Sequence, residues 1–275
     1  MRENIIKILF IFGVFVTLSV LLYPAIADFV NSFSQSKVVS HYLDDVEVMG
    51  DERKNEILNA AHVYNRNLLS SSNRFIFSDE DTAIYNQQLD AGRGVMGILI
   101  IDKINVNLPI YHGTDEGVLQ IGVGHLQGTS LPVGGIGTHS FITGHRGLPS
   151  SKLLSNLDKM EIGDLFIIYV MGETLTYKVD DIQIVTPDHV KAFDIYLDKD
   201  YNTLVTCTPY GINTHRLLVR GYRVDNVNDQ VIANNATEVE KIVLIGIFTI
   251  PFLPILITIV IINYIKRCRK GRLYL

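Results

Sequence analysis

Hydrophobic and polar positions fall into three textures along the chain. Ile8 to Ile26 is a run of 19 residues without a charge. As a helix it is about 28 Å long, close to the roughly 30 Å hydrocarbon core of a bilayer. Ile242 to Tyr264 is a second uncharged run, of 23 residues; at about 34 Å it can span with some tilt. Pro251 and Pro254 kink such a span without preventing insertion. Between the two, residues 29–70 carry apolar side chains at helical spacing: Val38, Tyr42, Val46 and Met49, then Ile57, Ala60, Ala61, Tyr64 and Leu68. Gly50 interrupts the pattern, which predicts two amphipathic helices or one broken helix leaving the membrane. His41 and His62 are expected on its solvated side.

From Val95 the texture shortens to strands. The pattern predicts them at Val95 to Ile101, Val106 to Ile110, His139 to Thr143, Leu165 to Val170, Thr174 to Val179 and Ile182 to Val185. Thr203 to Thr206, Leu217 to Val219 and an extension over Gly221 to Val224 complete the set. The first of these last runs and the second flank the turn formers Pro209, Gly211 and Asn213, so they pair antiparallel. Cys207 then closes one strand and Arg216 opens the next, side by side at a sheet rim. Lys152 to Met160 reads as a short surface helix. Gly122 to His125 and Gly134 to Gly137 read as turns, since they lack dinucleotide spacing and a following helix. Asp225 to Thr237 is polar and aperiodic, a linker to the second span. So many short strands with few helices imply a β-barrel or sandwich.

Charge orients the chain. Five basic residues crowd Lys266 to Arg272, which the positive-inside rule places in the cytoplasm; Arg2 and Lys7 against Glu3 bias the amino terminus to the same side. Both termini are therefore expected inside and residues 28–241 outside. Ala25-Ile26-Ala27 also has the small-x-small pattern of a signal-peptide cleavage site, but the apolar run before it is longer than the usual signal core. The outer part keeps 17 basic and 28 acidic residues, a net charge of −11 once the two ends are removed from the chain totals. Such a surface argues against nucleic acid as a partner.

Candidate chemistry centres on the cysteines. Cys268 lies at the inner membrane edge, which leaves Cys207 as the one cysteine outside, unable to pair with it. A lone thiol facing an oxidising space is a liability that packing alone rarely requires, although a buried inert cysteine remains the plain alternative. A free thiol at neutral pH is only about 3% thiolate, so catalysis needs a base or cation beside it. Eight histidines are available, at 41, 62, 112, 125, 139, 145, 189 and 215. Local context favours His145 over His125, because it ends the apolar strand Ser140-Phe141-Ile142 with Gly144 and Gly147 allowing close approach. His215 precedes Arg216, so strand alternation points the two apart. There is no Cys-x-x-Cys and no His-Glu-x-x-His, and neither Asp79-Glu80-Asp81 nor Asp198-Lys199-Asp200 has spaced calcium ligands, so no metal and no cofactor is expected. Asn235-Ala236-Thr237 matches a glycosylation sequon of the kind that often arises by chance. Arg74-Phe75-Ile76-Phe77 is an aromatic loop suited to a groove as a lid, or to plain packing on the domain.

Thr203-Leu204-Val205-Thr206-Cys207, with Arg216 nine residues on and Thr143-Gly144-His145 upstream, resembles the signature of sortases, membrane-anchored cysteine transpeptidases of Gram-positive bacteria. The two-span topology, the Gly144-His145-Arg146-Gly147-Leu148-Pro149 stretch and the run from Thr206 to Arg216 are similar to the class C, pilin-polymerising branch. The resemblance implies a closed eight-stranded sortase-type β-barrel with a helical N-terminal extension and two flanking transmembrane helices. It implies Cys207 as nucleophile on the Thr–Gly bond of an LPxTG-like signal, His145 as acid and base, and Arg216 as the group holding the substrate carbonyl or its oxyanion. A pilin lysine would then resolve the thioester into an isopeptide bond. Class C relatives often carry an Asp-Pro-aromatic lid; here Phe77 alone corresponds to it, which implies a lid resting on apolar contact. The implied organisation is a cytoplasmic end with its span over residues 1–27, a helical extension with lid over 28–94, a catalytic barrel over 95–225, a linker over 226–241, a second span over 242–264 and a basic tail over 265–275. Anchoring of surface proteins to cell-wall precursor is the close alternative. A non-catalytic barrel scaffold is the distant one, and it needs none of Cys207, His145 and Arg216.

Overall fold

A single helix, α1 (Arg2–Val48), carries the N-terminal apolar run straight into the amphipathic stretch that follows, with Pro24 inside it. The structure, a computed structural model, describes residues 2–71, 73–188 and 193–226. The expected second span, the basic tail and Cys268 lie outside the described residues. α1 is the one described helix long and apolar enough to cross a membrane, and none of its most apolar stretch is buried. Gly50 does break the amphipathic pattern: it is the extended N-cap of α2 (Asp51–Leu69), whose first turn holds Asp51 and Glu52 where the helix dipole favours acid. The break separates two helices, the first of them continuous with the apolar run.

The aromatic loop is shorter than its polar tail suggests. Ser78 and Asp81 form a capping box, each side chain bonding the other's backbone N–H, and start α3 (Asp79–Asn86). The acidic triplet 79–81 is therefore the first turn of a helix.

Eight strands follow: β1 (Val95–Ile101), β2 (Val106–His112), β3 (Val123–His125), β4 (Thr138–Thr143), β5 (Leu165–Val170), β6 (Glu173–Val185), β7 (Asp200–Thr208) and β8 (His215–Val224). They close in the order β1-β2-β3-β4-β7-β8-β6-β5. Three details depart from the pattern-based expectation. Gly122 to His125 is a strand over its last three residues, because it pairs parallel to β2 and antiparallel to β4. Thr174 to Val179 and Ile182 to Val185 are one strand, β6, with an irregularity between Val179 and Asp181 that mimics a break in alternation. Lys152 to Met160 forms turns and a three-residue 3-10 segment, Leu157–Lys159, rather than a helix.

Pairing assigns the faces, since paired residues share a face and faces alternate along a strand. Ile142, Leu204 and Val219 are aligned and fully buried, so they fill the barrel with Phe166 and Tyr177, whose rings stack. Thr143, Val205, Cys207 and Arg216 stand on the outer side of the same three strands. The helices close the other flank. Tyr42 donates to the Met96 carbonyl and accepts from the Met171 N–H, and Asn65 bonds both the carbonyl and the N–H of Leu131.

Candidate active site

β7 is flanked by β4 on one side and β8 on the other, and each neighbour brings one polar group level with Cys207. In the antiparallel β7–β8 ladder Cys207 pairs directly with Arg216. In the parallel β4–β7 ladder Thr143 pairs with Val205, and the alignment continues past the strand end: the Gly144 N–H donates to the Val205 carbonyl at 3.0 Å, and Thr206 Oγ1 donates to the Gly144 carbonyl at 2.8 Å. The next residues in line are His145 and Cys207. The three residues singled out from sequence are thus brought to one rim on one outer face. All three are half-buried, so solvent and a ligand can reach them.

Each is braced locally. The Arg216 guanidinium donates through Nη1 to the carbonyls of Asn213 and His215 at 3.2 and 3.1 Å. That holds its base against the β7–β8 loop while the group retains further N–H donors. His215 bonds Thr214 instead, as alternation requires. Arg146 ties the two walls together: it donates to Thr208 Oγ1 at 3.1 Å, the residue after Cys207, and pairs with Asp158 at 2.6 Å. Its guanidinium also lies 5.9 Å from the centre of the Tyr210 ring. Gly147, at φ +82°, sits against that ring, and a Cβ there would come within 3.2 Å of it.

A fourth residue, Glu116, was not among the sequence candidates. It opens the one-turn helix α4 (Glu116–Leu119), and its carboxylate oxygens lie 3.2 and 3.3 Å from His145 Nε2. A hydrogen bond from Gln120 and then the charge of His145 hold the Glu116 carboxyl below the usual carboxylate range. An ionised carboxylate only accepts, so Nε2 carries a proton and Nδ1 is the nitrogen left to exchange one. No spacing rule links Glu116 to His145, 29 residues away.

The rival histidines have structural duties. His125 is fully buried, its Nε2 donating to the Ser130 carbonyl at 2.8 Å and its Nδ1 2.9 Å from the Tyr85 hydroxyl. His139 donates from Nδ1 to the Asp194 carbonyl and accepts from Thr203 Oγ1. Burial pushes both down to about 4, so both are neutral at pH 7. His112 bonds the Gln88 carbonyl and is also pushed down by burial. His189 lies outside the described residues.

The aromatic loop packs on the same outer face, upstream of the thiol. Phe141 is in register with Thr203, four residues before Cys207. Phe193 packs on Phe141 at 5.0 Å between ring centres, and Phe75 packs on Phe193 at 5.5 Å. Arg74 donates to the Phe193 carbonyl. Gly128, at φ +90°, lets the loop approach: a Cβ there would lie 2.3 Å from the Arg74 carbonyl oxygen and 2.7 Å from the Phe75 ring. The loop is therefore anchored by a charged hydrogen bond as well as by apolar contact, a correction to the expectation of apolar contact alone. Phe75 and Phe77 are equally exposed, at 39%, but only Phe75 packs on the Phe193 ring.

This arrangement has known counterparts. The sequence matches the Sortase domain family over residues 99–224. It is similar to sortase C1 from Streptococcus agalactiae, with 48% identity and a TM-score of 0.68 over 70% of this chain and all of that one. It is also similar to sortase C1 of GBS Pilus Island 1, at 40% identity and a TM-score of 0.66, covering 72% of this chain and 95% of that one. Sortase D of Bacillus subtilis is 30% identical over 131 residues, a match covering 46% of this chain and 63% of that relative, so the chain spans less than two thirds of its length. The chain belongs to the sortase family, and the two solved structures described above, both sortase C1, share its fold along nearly their whole length.

Proposed function

We propose that the protein is a membrane-anchored cysteine transpeptidase that cleaves an LPxTG-like sorting signal between Thr and Gly and joins it to a lysine of a pilin. The observation that carries this reading is the level alignment of three adjacent strand ends, which sets a thiol between a cation and an imidazole. Cys207, as thiolate, attacks the Thr carbonyl carbon, and the oxyanion that forms is held by the guanidinium of Arg216. Collapse breaks the Thr–Gly bond, and His145 gives its proton to the departing Gly amine. The lysine amine then attacks the thioester carbon, His145 takes the proton released, and the Cys207 thiolate leaves as the isopeptide bond forms. Glu116 keeps the imidazole oriented through its contact with Nε2.

Pilins as substrates are supported by the relative named for a pilus island and by the fit to sortase C1 structures along nearly their whole length. The Phe75 to Phe77 loop serves as a lid, covering the outer face upstream of Cys207, where the residues preceding the Thr would lie. Residues 28–94 form the helical extension and lid, and residues 95–225 the catalytic barrel. The apolar start of α1, with Phe10, Phe15, Val20 and Leu21 all exposed, is the membrane anchor that keeps this barrel at the cell surface. Incubation with an LPxTG-type peptide and a pilin acceptor tests the reading: a peptide–lysine product that disappears in Cys207→Ala supports it, and hydrolysis products alone would leave a protease in its place.

A further inference from the structure

The anchor helix and the active-site rim are joined directly. α1 makes its first bonds to the barrel two residues after the apolar run ends at Ile26. Asp28 Oδ1 accepts from the Lys152 N–H at 2.7 Å, and its Oδ2 lies 3.3 Å from Lys152 Nζ. One turn on, Asn31 Nδ2 donates to the Ser150 carbonyl at 2.8 Å, and a further turn on Gln35 Nε2 donates to Ser151 Oγ at 3.3 Å. Positions 28, 31 and 35 share one helix face. The segment they grip is the neighbour of His145: the Leu154 N–H donates to the His145 carbonyl, and Ser155 bonds both Gly147 and Arg146.

Strand direction says which end of the barrel this is. β4 and β7 run toward His145 and Cys207, and β2 starts beyond that end and runs back, because Ile110, its fifth residue, aligns through Val123 with the start of the His145 loop. β1 ends and β5 begins at the same level, where Lys103 bridges Glu161 and Asp164. Asp28, Ser32 and Gln35 line a cleft with Ile104 to Leu108 at this end, whereas Tyr42, two turns further along α1, reaches Met96 at the start of β1. The helix therefore enters at the catalytic end and runs away from it.

We infer that the catalytic end of the barrel rests against the lipid headgroup layer of the membrane that α1 anchors in. At about 1.5 Å per residue, Asp28 lies only about 3 Å beyond the apolar run along the helix axis, so the 149–153 segment is held at headgroup level. The charges at this end are largely paired within the protein, Arg146 with Asp158 and Lys103 with Glu161 and Asp164. Ile162, 62% exposed, projects between those partners. The contact is set by the helix rather than by attraction to anionic lipid, and it holds on a zwitterionic bilayer. A groove at this height meets a sorting signal where its chain leaves the membrane. The inference rests on the anchor proposed above.

Fluorophores on single cysteines, introduced at Ile162, Ile136 or Phe15 of the full chain carrying Cys207→Ala and Cys268→Ser, test it in phosphatidylcholine nanodiscs. Ile136, 74% exposed, precedes β4 at the opposite end, about 20 Å away along the strand. With a headgroup nitroxide lipid, quenching at 162 should exceed that at 136 by several fold. A ten-residue Gly-Ser insertion before Asp28 should bring the two to the same level. Equal quenching at 162 and 136 in the uninserted chain, while an acyl-chain nitroxide quenches at 15, overturns the inference and leaves the anchor standing. Strong quenching at 162 that survives the insertion also overturns it, because the helix would then not be what holds the barrel. No quenching at 15 removes the anchor reading and the inference with it.

Discussion

Cys207 and Arg216 are direct cross-strand partners in the β7–β8 ladder, placed by sheet register rather than by a loop. A guanidinium so fixed needs no reorganisation when charge develops on a substrate oxygen beside the thiol. Arg216→Ala should lower kcat/KM for peptide transfer by roughly 10²- to 10³-fold, the usual cost of removing one oxyanion donor. Arg216→Lys, which keeps the charge but loses the planar fork, should recover only part of that. Steady-state kinetics of the two variants check both statements, and unchanged alkylation of Cys207 by a small reagent would show that the thiol itself is intact.

With His145 as the proposed acid and base, its loss should be felt in both halves of the reaction. His145→Ala is expected to reduce turnover by about 10²- to 10⁴-fold. Glu116→Gln keeps the size of its side chain and removes the charge facing Nε2, so the imidazole is held less firmly and the rate should fall by several fold. A role for Glu116 in folding alone would lower the melting temperature and leave the rate of the folded protein unchanged.

The Phe75 to Phe77 loop, proposed above as a lid, is held through Arg74 and Phe75 onto Phe193. Arg74→Ala and Phe75→Ala should each speed the labelling of Cys207 by a bulky thiol reagent, and Phe77→Ala should do so less. Stopped labelling followed by mass spectrometry distinguishes the three.

Stability should fall on mild acidification for reasons unrelated to catalysis. His125 and His139 are buried neutral, with folded values of about 4 against an ordinary 6.5. The unfolded chain therefore binds more protons between those values, and stability is lost as pH falls below 6.5. At pH 5 the loss is about 2 kcal/mol for each ring. Urea denaturation at pH 7 and pH 5 measures it, and His139→Gln should show a smaller drop than the parent chain.

Much of this architecture was legible in the chain because each signal was local. Alternation set seven of the eight strands, and the turn formers between Thr206 and Leu217 were enough to predict the pairing that puts Cys207 beside Arg216. β3 escaped because three residues with a central glycine carry no period; only its pairing with β2 and β4 makes it a strand. Glu116 escaped for the same kind of reason, since its approach to His145 is a contact across two connections. The loop anchor was misjudged because Phe193, its partner, is 118 residues from Phe75, and nothing in the sequence of either announces the other. The continuity of α1 follows from the absence of a breaker in Ala27 to Ser32, the chain between the apolar run and the amphipathic pattern.

Acyl transfer through Cys207 is read directly by intact mass of the full chain in detergent after brief exposure to an LPxTG-type peptide. The expected result is an adduct of the acyl fragment on Cys207, absent in Cys207→Ala, discharged when a lysine acceptor is added, and formed far more slowly in His145→Ala. Absence of any adduct, with Phe75 and Phe77 both replaced to open the lid and with a set of related sorting peptides, would contradict acyl transfer through Cys207.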